Sequence, residues 1–145
     1  AFARMPETHL VIVGNWEKSD YGRVLKEKYA SYKNLHLLDP IYEPHTVNWL
    51  RGNAALYVHG HSAGGTNPSL VEAMCLGLPV LAFDCVYNRA TTEGKALYWK
   101  KSDELLECLL KQNGEEIGAI GNIMLEIGKR CFSWNAIARQ YNLLY

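Results

Sequence analysis

Two hydrophobic periods alternate along this chain. Short, mostly apolar runs stand at 10–14 ("LVIVG"), 35–38 ("LHLL"), 54–59 ("AALYVH") and 79–84 ("PVLAFD"). They have the composition of strands buried on both faces. Between them, apolar residues recur every three or four positions, the period of a surface helix. "SDYGRVLKEKYASY" (19–32) predicts a surface helix capped by Ser19 or Asp20, with apolar residues at Val24, Leu25 and Tyr29. "EPHTVNWLRGN" (43–53) predicts a shorter helix stopped by Gly52, and "KALYW" (95–99) a fifth strand. From Ser102 the pattern is helical to the end, in "SDELLECLLK", "EEIGAIGNIMLEIGKR" and "SWNAIARQYNLLY". The last keeps Trp134, Ile137, Ala138, Tyr141 and Leu144 on one face.

Apolar strands alternating with helices predict a parallel sheet covered on both sides. The expectation is one doubly wound α/β domain over 1–145, with 102–145 as its helical tail. A length of 145 residues and a hydrophobic content of 48% suit a single core. The 15 basic and 15 acidic residues cancel. A neutral chain exerts no general pull on nucleic acid or an anionic membrane, so any bound anion must be held by local geometry. The four cysteines show no CxxC spacing. Cys75, Cys108 and Cys131 sit among apolar neighbours and are expected to be buried free thiols. With no signal peptide and no apolar run of membrane length, the expected location is the cytoplasm.

The candidate chemistry lies in "HGHSAGGTNPSLVEAM" (59–74). It follows the carboxyl end of the third strand, where doubly wound sheets bind ligands. Pro68 opens a helix capped by Asn67 or Thr66 and stopped by Gly77. Gly64 and Gly65 let the backbone bend and leave main-chain amides open to a ligand. The helix start is expected to add unpaired amides and a positive dipole end, which together suit a phosphate. The plainer alternative is a tight turn followed by a cap. Neither GxxxxGK[ST] nor GxGxxG is present, which disfavours a nucleoside triphosphatase or a nicotinamide dehydrogenase.

Glu72 lies one turn into that otherwise apolar helix, where little free face is expected, so its carboxylate needs a partner. A vicinal diol such as that of ribose supplies one. Two readings from other classes stay open. One is a metallohydrolase on His59, His61 and Asp84, since residues i and i+2 of an extended segment project to the same side. The other is a non-catalytic module whose loop docks a phosphate-bearing partner.

These stretches resemble the nucleotide-sugar-binding half of GT-B-fold, family-4 retaining glycosyltransferases. "VEAMCLGLPVLAFD" matches the second half of that group's glutamate-centred motif. "AFARMPETHLVIVGNW", "LHLLDPIYEP" and "FSWNAIARQYNLLY" resemble its early strand, base-binding turn and closing helix. The resemblance implies a Rossmann-like half of a GT-B fold. It also implies that Glu72 holds the donor's ribose hydroxyls, and that Gly64, Gly65, Thr66, Asn67 and Ser69 face the diphosphate or sugar. Ile41 would meet the base, with Gly14 and Asn15 beside it. The donor would be a dTDP-, UDP- or GDP-linked sugar, with no metal and no other cofactor.

Two departures from the family pattern stand out. Gly64 occupies the place of the family's first glutamate. The variant "GGTNPSLVEAM" with "YNRATTEGKALYW" looks most like bacterial polysaccharide rhamnosyltransferases, with His61 and Arg89 as candidates for contacting sugar or phosphate. The family's preceding strand, with its Arg and Lys, and its acceptor domain have no counterpart after Ala1. The chain is therefore expected to be the donor half alone, truncated at its N-terminal side. By itself it would bind nucleotide weakly, transfer no sugar and self-associate through an apolar edge. A carbohydrate or lipid-linked acceptor would meet the absent domain, and the setting would be the cytoplasm or the inner membrane face.

Overall fold

All paired strands run parallel, as strands alternating with helices require. The computed structural model describes residues 1–111 and 113–143 and has an α/β fold. Strands β1 (Leu10–Val13) and β2 (Leu35–Leu38) form one sheet. Strands β3 (Tyr57–His59), β4 (Val80–Phe83) and β5 (Leu97–Trp99) form a second, in that order. The intervening helices are α1 (Asp20–Tyr29), α2 (Pro44–Gly52), α3 (Pro68–Cys75) and α4 (Val86–Thr91). Helices α5 (Ser102–Lys111), α6 (Gly114–Phe132) and α7 (Trp134–Asn142) complete the chain. It divides into two compact units, Ala1–Trp49 and Leu50–Tyr145. Among the described residues no helix is long and apolar enough to cross a membrane.

In the first unit, Leu10 pairs with Leu35 and Val13 with Leu38. The Leu38 carbonyl then accepts from the Gly14 amide at 3.1 Å and from Trp16 Nε1 at 2.7 Å, closing the carboxyl end of the pair. Ser19 caps α1 by accepting from the Gly22 amide. Buried Asn34 points its side-chain amide at the carbonyls of Phe2, Met5 and Thr8, 2.9–3.0 Å away, which fixes the opening turn. β1 is not the buried strand its composition predicts: Val11, Ile12 and Val13 are about 40–50% exposed. An apolar run reports the surroundings a strand is suited to, and within this unit β1 has only β2 beside it.

The second unit is built on Leu70, Met74, Val80, Ala82, Met124 and Ile127, with Tyr57, Tyr98, Ile120 and Phe132 packed around them. α6 crosses close to α3 because glycines face the contact. A Cβ on Gly121 would lie 2.5 Å from the Gly77 carbonyl, and one on Gly128 would lie 3.1 Å from the Cys75 amide. Gly77, at φ +72°, ends α3. The four cysteines are free, but none is fully buried and Cys75 is exposed. Cys75 falls on the outer side of a helix whose inner side is taken by Leu70, Ala73 and Met74. On α7, Trp134 and Tyr141 of the predicted apolar face are exposed, and Leu144 lies outside the described residues. Helix α4 has no counterpart in the sequence reading, since six residues are too few to show a helical period.

Candidate functional site

β3 ends at His59, and the chain turns through 60–67 into α3. Gly64 has φ +90°, a backbone state that L side chains rarely adopt, so glycine is required at this bend. The amides of Gly64, Gly65 and Thr66 have no hydrogen-bond partner among the described residues and stand open to solvent. The amides of α3 itself are occupied. Asn67 accepts the Ser69 amide on Oδ1 at 2.9 Å, and its carbonyl accepts those of Leu70 and Val71 at 3.1 and 3.2 Å. Pro68 has none to offer. The expectation of unpaired amides at the helix start is thus corrected: Asn67 consumes them, and the free donors belong to the glycine bend before it.

Glu72 also differs from expectation. Its side chain is 54% exposed rather than enclosed, and the partner it needs is Arg51. Oε2 accepts from Arg51 Nη1 across the gap between the start of α3 and the end of α2. Beside this pair, burial raises the pKa of the Tyr57 phenol, opposed by the Arg51 charge.

At the end of β3 the His59 and His61 rings stack, with centroids 5.2 Å apart. His59 is 1% exposed and its Nε2 has no partner among the described residues. Burial, reinforced by the neighbouring His61 charge, lowers its pKa to about 4. Asp84 does not join these histidines. It takes the Arg89 Nε at 2.5 Å, with Lys100 3.9 Å away, and those cations hold its carboxyl below the usual range. Among the described residues no group of three His, Cys, Asp or Glu is placed to hold a metal ion, which removes the structural basis for the metallohydrolase reading.

Arg89 is set by two contacts, the bond to Asp84 and the Tyr98 ring 4.1 Å beneath its guanidinium. Its two Nη groups make no hydrogen bond among the described residues. The preceding residue, Asn88, is buried and ties the loop down by donating to the His61 and Phe83 carbonyls. His61, Gly64, Gly65, Thr66, Asn67, Ser69, Glu72 and Arg89 therefore all lie in the second unit, on the loops and helices that follow β3 and β4. Gly14, Asn15 and Ile41 lie in the first unit, just past the carboxyl ends of β1 and β2. Sequence reasoning missed Arg51 and Asn88. A single polar residue in a short helix carries no periodic signal, and its partner lies 21 or 27 residues away.

The sequence model of the family described as glycosyl transferases group 1 matches residues 1–102. A search of curated proteins found no match.

Proposed function

The chain belongs to the glycosyl transferases group 1, and on that premise we propose that its second unit receives the diphosphate and ribose of a nucleotide-sugar donor. The observation that carries this reading is the row of free amides at Gly64, Gly65 and Thr66, set before a helix start with a carboxylate one turn in. Such a bend concentrates partial positive charge without a lysine. Thr66, Asn67 and Ser69 flank the same bend, and the Nη groups of Arg89 and the ring of His61 reach toward phosphate or sugar. Glu72 accepts from ribose hydroxyls.

In the reaction, the bond between the sugar's anomeric carbon and the diphosphate breaks, and negative charge gathers on the leaving group. Donors fixed where that charge develops lower the barrier, each by about 3 kcal/mol. No metal is required if amides and Arg89 do this. The donor reading sorts nucleotides by chemistry: UDP and GDP offer Glu72 a vicinal diol, whereas the deoxyribose of dTDP offers one hydroxyl. Gly64, in place of the family's glutamate, suits a donor sugar lacking a hydroxyl, such as rhamnose, passed to a polysaccharide or lipid-linked acceptor with retention. Transfer also needs water excluded around the donor while the bond breaks.

Titration calorimetry with UDP, GDP, dTDP and inorganic phosphate tests the reading. UDP or GDP should bind more tightly than phosphate, and Glu72→Ala should remove most of that advantage. Equal weak binding of all four, unchanged by Glu72→Ala, would assign the loop to phosphate docking without catalysis.

A further inference from the structure

We infer that Arg51 is a positioning residue for Glu72, fixing the carboxylate for a ribose diol; this rests on the nucleotide reading above. Glu72 is the acidic residue of α3, a helix of eight residues with no basic residue in its last turn. Its cation comes instead from the last turn of α2, where Arg51 Nη1 donates to Oε2. The two partners are unequal. The Arg51 side chain is 19% exposed and that of Glu72 54%, so the guanidinium is seated and the carboxylate projects. A helix C-terminus favours a cation, which helps hold Arg51 where it is. An ion pair with one partner half in solvent adds little to folding stability, so stability is a weak reason for partly burying an arginine.

The geometry allows Arg51 and a ligand to share the carboxylate. Two carboxylate oxygens offer about four acceptor sites. Arg51 takes one on Oε2, and Oε1 has no hydrogen-bond partner among the described residues. A vicinal diol can donate to the remaining sites with the ion pair intact. Arg51 then acts before the ligand arrives, by removing rotamer freedom that an unpaired glutamate would lose on binding. Pre-ordering one such side chain is worth about two- to twelvefold in affinity.

The test is calorimetric titration of the wild type, Arg51→Gln, Arg51→Lys and Glu72→Gln with UDP, GDP and their 2′-deoxy forms. The wild type should prefer the ribonucleotides. Arg51→Gln should weaken them about two- to tenfold and weaken the 2′-deoxy forms less, since these keep one hydroxyl for Glu72, narrowing the ratio. Arg51→Lys should recover part of that ratio, which a variant that merely loosened the fold would not do. If Glu72→Gln abolishes the preference while Arg51→Gln preserves it, Arg51 does not position the carboxylate. Equal weakening of all four ligands by Arg51→Gln overturns the inference as well, since it marks a general structural role. If neither variant alters the ratio, Glu72 does not read the ribose, and the nucleotide reading falls together with this one.

Discussion

The side-chain amide of Asn88 donates to the His61 carbonyl at 2.9 Å and to the Phe83 carbonyl at 2.8 Å, so one residue ties the loop after β3 to the end of β4. Both of its hydrogens are used, and it is buried. Asn88→Ala should cost about 2 kcal/mol, because two carbonyls lose their donor. Asn88→Asp should cost at least as much, since an ionised carboxylate cannot donate. Urea denaturation at pH 7 measures both. A loss under about 0.5 kcal/mol, the usual size of a surface substitution, would mean that the loop is held by something else.

His59 makes the fold sensitive to acid. Its pKa falls from 6.5 to about 4 on folding, because burial and then the His61 charge disfavour the imidazolium. A depressed histidine is neutral in the folded state while the unfolded chain takes up a proton below pH 6.5. Stability is therefore complete above that pH and declines as pH falls toward 4. Between pH 7 and pH 5 the loss should be about 2 kcal/mol. Asp84 and Glu93 titrate below their usual range, so they add little to the slope in this window. His59→Leu should flatten the profile and, by removing the unpartnered Nε2, should not lower stability at pH 5. A wild-type profile level between pH 7 and pH 5 would contradict the buried neutral imidazole.

Two glycines of α6 should respond in opposite directions to the same substitution. Alanine favours a helix over glycine by about 0.5–1 kcal/mol. At Gly118 a Cβ meets nothing within 4 Å, so Gly118→Ala should raise stability by that amount. At Gly121 the Cβ would lie 2.5 Å from the Gly77 carbonyl, and α6 would have to move away from α3. Gly121→Ala should cost about 1–3 kcal/mol despite its better propensity. Thermal melts of the two variants, compared with the wild type, give the signs directly.

What the sequence revealed of this fold follows from what each signal measures. α5 was legible to its ends, because Leu105, Leu106, Leu109 and Leu110 repeat at helical spacing between a serine and a lysine. The start of α3 was legible because Asn67 and Pro68 have local capping chemistry. α4 was not, since Asn88 and Thr91 are buried for their hydrogen bonds and polar burial leaves no apolar period. At the candidate site the bend at Gly64 could be foreseen, whereas the consumption of the helix amides by Asn67 could not. Capping and anion binding use the same donors, and only coordinates show which takes them. Glu72 was found as an isolated charge on an apolar helix. Its partner Arg51 was invisible because α2 and α3 come together only through the β3 crossover.

Gly64 offers the most direct test of the bend. At φ +90° a side chain costs about 1–2 kcal/mol even though no neighbour lies within 4 Å to obstruct it, so the penalty is conformational rather than steric crowding by other residues. Gly65 has equal space and no positive φ. Gly64→Ala should therefore relax the loop into another conformation, re-aim the free amides and weaken UDP or GDP binding, with little effect on the core beneath. Gly65→Ala should leave binding close to wild type. Gly64→Glu restores the residue that the family pattern places here. If a missing carboxylate were the whole difference, that variant should bind donor better. If the backbone has changed along with the side chain, it should behave like Gly64→Ala. The φ of Gly64 favours the second outcome, and equal effects of Gly64→Ala and Gly65→Ala would show that the bend has no special part in holding the ligand.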